Sequence, residues 1–510
     1  MLGFVAAGLL FIPRLGIEVD EALVANGIYP HGSPWYSWGV GGVEIPVMLI
    51  SYLGALKTWM YSILFVFFEP RPMSLRLPTL LLAAGSLGLF FSLLDKTVNR
   101  RAAWIGTLLL ATDTSYLLMN TVDYGPVTLQ FVFKLAALVL LVQFQRSGSR
   151  LQLAGGFFLL GLAMWDKAVF AWVLFGLTVG VVTVFPREVL AELRWKNIRT
   201  AAVAMVAGAL PFVVYNVMRP LETFRANAQV EQLAVLGKSI ILTRTMDGSV
   251  LFGFMTAFDG GSNPGQPARW YQRVSFQLSE FLGAPHGSFT LWASGAAVLS
   301  LALLWGTPAR RPILFGLVVC FATWLPMVLT AGAGAAAQHV ILLWPFHLLA
   351  IAAAVERIPL RAGVAAVTVL LCGSSIAVTN QYYAELIRNG PTMRWTDAMD
   401  PLHRFLTDIH ARRIYVADWG IIETMNLLSE GTLPIRTAEL GNDESIRGML
   451  RDSRNVFVAH AKGAAIHPNE RAALEDLAQR EEYLEEPVAT IVDRNGRPAF
   501  DVFRFRKLHL

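Results

Sequence analysis

Runs of about 18 apolar residues recur along this chain from its start to about Thr379, and each is long enough to cross a bilayer as a helix. Hydrocarbon offers no hydrogen-bond partners, so a spanning backbone must satisfy its own N–H and C=O groups, which a helix does. Ten segments stand out: residues 77–94, 102–120, 127–145, 151–164, 169–185, 201–217, 289–305, 313–330, 339–355 and 362–379. Residues 1–13 make about eleven. They are short for a span and lack the basic start and cleavage site of a signal peptide, so they read as a first helix whose start lies upstream. Only 15% of the 510 residues are charged, against roughly a quarter in a soluble domain, and the mean hydropathy is +0.49. The class is an all-α polytopic membrane domain. The pI near 9.2 does not point to nucleic acid, because the basic residues sit in short loops, where they set topology. Cys320 and Cys372 both lie inside apolar runs, which argues against a disulfide framework and for small core residues.

Orientation turns on residues 43–68. This stretch is long enough to span but contains Glu44, Pro46 and Lys57. If it does not span and the N-terminus is inside, the clusters Lys96/Arg100/Arg101, Arg146/Arg150, Arg187/Arg194/Lys196/Arg199, Arg310/Arg311 and Arg357/Arg361 all fall in the cytoplasm, as the positive-inside rule requires. If it spans, all fall outside. Residues 43–68 are therefore expected as a helix lying along or dipping into the outer face, within one long first external loop. Parity then places Asp20, Asp123, the loop 219–287 and everything after about Gln381 on the external, periplasmic side of a plasma (bacterial inner) membrane.

Past residue 380 the chain changes character. Charges become dense and apolar runs shorten to strand length. Residues 413–417 and 455–459 read as strands, 421–429 and 468–480 as helices, and Asp493-Arg494-Asn495-Gly496-Arg497 as a hairpin turn. The expected organisation is a membrane domain over 1–380 and a small external α/β domain over 381–510. No solenoid repeat or low-complexity tract is visible.

Few residues can carry chemistry. Asp20 and Glu21 follow the first apolar segment closely, where acids are costly unless they face water, a partner or a substrate. They suit either the start of a helix over 21–28 or a general base at the membrane surface. Asp123, in Asn120-Thr121-Val122-Asp123-Tyr124-Gly125-Pro126, suits a helix cap or an acid sharing a cleft with Asp20. Lys167, in Trp165-Asp166-Lys167 at the external end of a helix hairpin, and Lys57 suit either snorkelling or contact with a lipid phosphate. His339 opens a span at its external end, as a structural residue or a phosphate or sugar contact. His31, Trp35, Tyr36 and Trp38 suit an interfacial belt or stacking on a sugar ring. No metal-ligand spacing, P-loop or dinucleotide fingerprint occurs. An enzyme on the outer face has no nucleotide-sugar supply, so an activated substrate would arrive as a lipid-linked donor. The competing class, a lipid or sugar transporter or flippase, accounts for the helices but not for the acids in the first loop. Transporters place key acids near the midplane at broken helices, in duplicated halves.

The order of parts resembles the GT-C superfamily of integral membrane glycosyltransferases, and most closely the dolichyl-phosphate-mannose protein mannosyltransferases, which include the bacterial aminoarabinose transferases of lipid A. The resemblance covers roughly residues 1–379. It rests on Asp20-Glu21-Ala22 opening a first external loop, Ser74-Leu75-Arg76-Leu77-Pro78 entering a span, the acid of the second loop, Trp165-Asp166-Lys167, and Pro211-Phe212 with Tyr215-Asn216. It implies an inverting transfer of a sugar from a polyprenyl-phosphate donor to a hydroxyl acceptor (protein, lipid or glycan). Asp20 would be the catalytic acid of the first loop, Glu21 the second acid of that motif, Asp123 the acid of the second loop and Lys167 the hairpin lysine. Relatives often carry Lys-Pro-Pro at the start of the surface helix. This chain has Val43-Glu44-Ile45-Pro46 there, and Lys57 is the available substitute. A divalent metal between two acids and a phosphate is compatible with this chemistry, as is its absence.

Overall fold

The computed structural model describes residues 1–29, 32, 34–227 and 235–508; His31 lies outside them. The chain begins with α1 (Leu2–Phe11) and α2 (Val19–Asn26). A small sheet follows, β1 (Tyr36–Val40), β2 (Val43–Ile50) and β3 (Leu53–Gly54), then α3 (Leu56–Leu64). The helical body comprises α4 (Pro72–Thr97), α5 (Arg100–Thr112), α6 (Thr114–Thr121), α7 (Thr128–Ser147), α8 (Arg150–Asp166), α9 (Phe170–Val184), α10 (Pro186–Glu192), α11 (Trp195–Gly208), α12 (Leu210–Met218), α13 (Glu222–Asn227), α14 (Val235–Met246), α15 (Trp270–Leu282), α16 (Thr290–Leu303), α17 (Arg310–Leu329), α18 (Ala337–Val340), α19 (Phe346–Val355) and α20 (Arg361–Arg388).

Among the described residues, four helices are long and apolar enough to span alone: α4, α7, α17 and α20. Five bent pairs raise the number to as many as nine. The expected spans coincide with helices, but three of them break. Residues 102–120 bend by 57° where Asp113 caps α6, its Oδ1 accepting from Tyr116 N at 2.8 Å. Residues 201–217 bend by 72° ahead of Pro211, which has no N–H to continue the ladder. Residues 339–355 break at Trp344–Pro345, and the fully buried Lys134 of α7 donates there to the carbonyls of Leu342 (2.7 Å) and Trp344 (2.5 Å).

The loop expected on the outer face departs from expectation. Residues 43–50 form a strand, not a helix; only Leu56–Leu64 is helical. The β-branched and apolar run Val43–Ile50 pairs antiparallel with β1 across a turn in which Gly41 and Gly42 both take positive φ, a conformation glycine adopts freely.

The C-terminal part contains α21 (Met399–Asp408), β4 (Ile414–Val416), α22 (Ile422–Leu428), β5 (Ile435–Thr437), α23 (Asp443–Leu450), β6 (Val456–His460), α24 (Pro468–Arg480), β7 (Tyr483–Val492) and β8 (Pro498–Lys507). Its five strands run in the order β5-β4-β6-β8-β7, the first three parallel and the last two antiparallel additions. The expected strands, both helices and the Asp493–Arg497 hairpin turn are all present. The boundary expected near residue 381 falls inside α20, which continues to Arg388.

Two cores matter for the site. One fills the helical body. The other joins Ile17, Ala22, Val24 and Ala25 around α2 to Leu402, Ile421, Met425 and Val458 of the C-terminal part. Helix α2 therefore packs on the α/β region. It turns 96° away from the first helical segment.

Candidate active site

Helix α2 opens with two acids engaged and one free. Asp20 N donates to Glu18 Oε2 (2.7 Å), and Glu18 N donates to Glu21 Oε2 (3.1 Å), a reciprocal cap of the first turn. Glu21 also accepts from Arg76 of α4, Nε to Oε1 at 2.7 Å and Nη2 to Oε2 at 2.6 Å. The remaining Arg76 donors reach the carbonyls of Ile12 (3.1 Å), Leu15 (2.8 Å) and Gly16 (2.6 Å). Arg76 is fully buried, and such an arginine needs this complete set of partners. Asp20 sits between the two capping acids. Among the described residues its half-buried carboxylate has no hydrogen-bond or ion-pair partner. Burial raises its pKa, Lys167 and Arg394 oppose that, and the Glu21 charge adds to it.

Asp123 is the opposite case. It has φ +46°, a left-handed conformation that Asp tolerates better than most residues. Oδ1 caps α7, accepting from Val127 N (3.0 Å) and Thr128 N (2.9 Å). Oδ2 meets the Lys57 amine in a buried ion pair. Helix α3 brings Lys57 there and is tied to α2 by Thr58 Oγ1 donating to Val24 O (2.7 Å). Burial pushes the Lys57 amine below the usual lysine range, while the carboxylates of Asp166 and Glu21 pull it back.

Asp166 closes α8 and accepts from Gln130 Nε2 at 2.5 Å. The next residue, Lys167, donates to Gly125 O at 2.5 Å, and Ala168 N donates to Tyr52 O at 2.9 Å, so the hairpin end is fastened to the loop that carries Asp123 and to the β2–β3 turn. Burial pushes Lys167 down to about 8, with Asp20 and Asp166 opposing.

The structure thus gathers Asp20, Asp123, Lys57 and Lys167 at one end of the helical body, with Glu21 beside them but committed to Arg76. His339 is at the edge. Its Nδ1 lies 3.1 Å from Gly332 O, and its neighbour Gln338 packs on Gly125. Tyr36 is elsewhere: its ring lies 5.4 Å from Tyr215 and under the Arg219 guanidinium at 5.8 Å. Glu44 is exposed near the hairpin tip, so the amine this loop brings into the site is that of Lys57.

Sequence reasoning missed Arg394. It stands in a single turn, Met393–Trp395, just after α20. Its exposed guanidinium lies over the Phe254 ring at 5.7 Å and the Trp419 ring at 5.4 Å, and its charge acts on both Glu18 and Asp20. No motif marks it, because its neighbours in space come from three distant segments. Tyr124 adds an aromatic wall, 5.3 Å from Phe254 and 5.7 Å from Trp395. Glu18 was legible in principle, since Glu18-x-x-Glu21 has capping-box spacing.

The Gly/Pro-rich stretch 259–265 is stitched down. Asn263 N donates to Asn495 O (3.2 Å) and Gly265 N to Arg388 O (2.8 Å). A Cβ on Gly265 would stand 1.9 Å from Ile387 O, so this glycine serves close approach. Among the described residues no three His, Cys, Asp or Glu side chains converge as metal ligands; an ammonium, that of Lys57, meets the Asp123 carboxylate.

No known protein family matches the sequence, and neither does any curated protein. Solved structures do match. ArnT from Cupriavidus metallidurans bound to undecaprenyl phosphate is 11% identical, with a TM-score of 0.57 over 98% of this chain and 97% of that one. Its apo form is 12% identical with the same TM-score and coverage. The oligosaccharyltransferase AglB from Archaeoglobus fulgidus, in complex with an inhibitory peptide and a dolichol-phosphate, is 10% identical, with a TM-score of 0.48 over 100% of this chain and 74% of that one. The chain has the fold of ArnT along nearly its whole length.

Proposed function

We propose that this protein is an inverting glycosyltransferase that moves a sugar from a polyprenyl-phosphate donor to a hydroxyl acceptor at the outer face of the membrane. All eleven apolar segments would cross, the membrane domain would occupy 1–380 and the external domain 381–510. The observation that carries the reading is the unpartnered Asp20 carboxylate. It stands between two acids consumed by a cap, within reach of the charges of Lys167 and Arg394. The ArnT fold, seen with undecaprenyl phosphate in that protein, supports the donor class.

In the proposed reaction Asp20 takes the proton of the acceptor hydroxyl as its oxygen attacks the anomeric carbon. The bond to the lipid phosphate breaks on the opposite face, and the configuration inverts. A phosphate leaves without strong acid assistance, so what it needs is cations already in place. Lys57 and Lys167 supply them, with His339 at the edge. Asp123 fixes Lys57 and the start of α7. Glu21, through Arg76, fixes the first turn of α2 and with it the direction of Asp20.

The test is reconstitution in liposomes containing a panel of polyprenyl-phosphate sugars and membrane-extract acceptors. The expected result is release of free polyprenyl phosphate together with a glycoside of inverted anomeric configuration. Sugar-lipid translocation without any release would instead identify a transporter.

A further inference from the structure

Helix α15 (Trp270–Leu282) has three faces where a helix on a soluble surface has two. Gln272, Ser275, Phe276 and Ser279 are buried. At about 100° per residue they occupy one arc, which packs on the end of α20: Asn380 Nδ2 donates to Ser275 O at 2.9 Å, and the Arg388 guanidinium lies 5.0 Å over the Phe276 ring. Trp270, Val274, Leu278 and Phe281 fall within an arc of about 80°, and they are 75, 54, 37 and 86% exposed. Arg273, Gln277 and Glu280 are also exposed and fill the other side. One strip thus faces protein, one is apolar and has nothing over it among the described residues, and one is polar.

The level of this helix indicates what covers the apolar strip. Along α20 the outward residues Val369, Leu370 and Ile376 are exposed and apolar, as on a lipid-facing surface. Asn380, which bonds to α15, lies four residues beyond Ile376, a rise of about 6 Å. Helix α15 therefore crosses α20 just past its last lipid-facing residue. At its other end the chain enters apolar α16, where Phe289 and Trp292 are exposed. A helix at this depth, with aromatic residues on one strip and Arg, Gln and Glu on the next, fits the boundary between acyl chains and headgroups.

We propose that α15 is an in-plane membrane anchor, its Trp270–Val274–Leu278–Phe281 strip sunk into the leaflet on the site's side of the bilayer. The anchor would do more than hold the protein down. The segment from Asp247 to Arg269 links α14 to α15 and carries Phe254, whose ring touches Arg394. Thr392 Oγ1 donates to Phe254 O at 2.6 Å. The lipid surface and the wall of the site are thereby joined through one short, stitched segment.

The test places single spin labels on the full chain in a Cys320→Ser/Cys372→Ser background, in vesicles of phosphatidylcholine and phosphatidylglycerol. Val274→Cys and Phe281→Cys report the apolar strip; Arg273→Cys and Glu280→Cys report the polar one. The expected result is preferential collision with oxygen at 274 and 281, and with a water-soluble nickel chelate at 273 and 280. Equal nickel access at all four positions would overturn the proposal, as would protection of 274 and 281 from both reagents, which would mean a protein partner covers the strip. A second measurement needs no substitution: a lipid-soluble photoactivated diazirine should label the Trp270–Leu282 peptide of the unmodified protein, and absence of label there would also overturn it.

Discussion

Asp20 and Asp123 are both acids that precede or open a helix in a loop between apolar segments, yet the fold treats them differently. Asp123 is fully engaged, one oxygen capping α7 and the other paired with Lys57. Asp20 is spared because its neighbours do the capping, Glu18 and Glu21 closing the turn and Arg76 locking Glu21 in place. A carboxylate that must abstract a proton has to keep its lone pairs free; one that must hold a scaffold has to use them. In the proposed reaction the two acids divide those duties.

The largest expected effect is on Asp20. Asp20→Asn should lower the transfer rate by about 10²–10⁴-fold, the usual worth of a general base, read by single-turnover assay. Its effect on stability should have the unusual sign. Burial raises the Asp20 pKa, so the ionised carboxylate disfavours the folded state above that pKa, and the amide should leave the thermal midpoint unchanged or higher.

Asp123→Ala should do the reverse. It leaves the buried Lys57 amine unpaired and uncaps α7, and breaking a buried pair costs about 3–5 kcal/mol. A clear fall in the thermal midpoint is expected, partly restored by adding Lys57→Met, which removes the stranded charge. Glu21→Gln should likewise destabilise through Arg76, and any loss of transfer should be smaller than that of Asp20→Asn.

Arg394→Gln sharpens the comparison from the other side. Arg394 opposes the upward shift of Asp20, so its loss should move the acid limb of the pH–rate profile to higher pH without lowering the plateau more than about tenfold. The smallest effect is expected at Glu44. It is exposed and away from the charge cluster, so Glu44→Lys should change neither transfer nor the thermal midpoint, measured on the same preparations.

Much of this was legible in sequence. Apolar periodicity marked the helices, and the C-terminal strands and the Asn495-Gly496 hairpin were visible because their signals are local. The four charged residues that meet were each singled out, two of them as helix caps or bases without a means of deciding. What decided was long-range: Arg76 reaching back to Glu21, and Lys57 reaching Asp123, are contacts between segments far apart in the chain. The strand over Val43–Ile50 was misread because a short apolar run fits either period, and length alone favoured a helix. Lys134 was passed over inside an apolar run. Its reason to be there, two carbonyls freed at the Trp344–Pro345 break, exists only once α7 and that break are packed together. Arg394 carried no local signal at all.

The most direct test of Asp20 as the base is the pH dependence of the single-turnover rate in the wild type and in Asp20→Asn. The folded Asp20 pKa is raised, so the wild-type rate should fall on acidification through an apparent pKa above the free aspartate value of about 3.9. The residual rate of Asp20→Asn should show no such limb. An Asp20→Asn protein that kept the same acid limb would contradict the assignment and place the titrating base elsewhere.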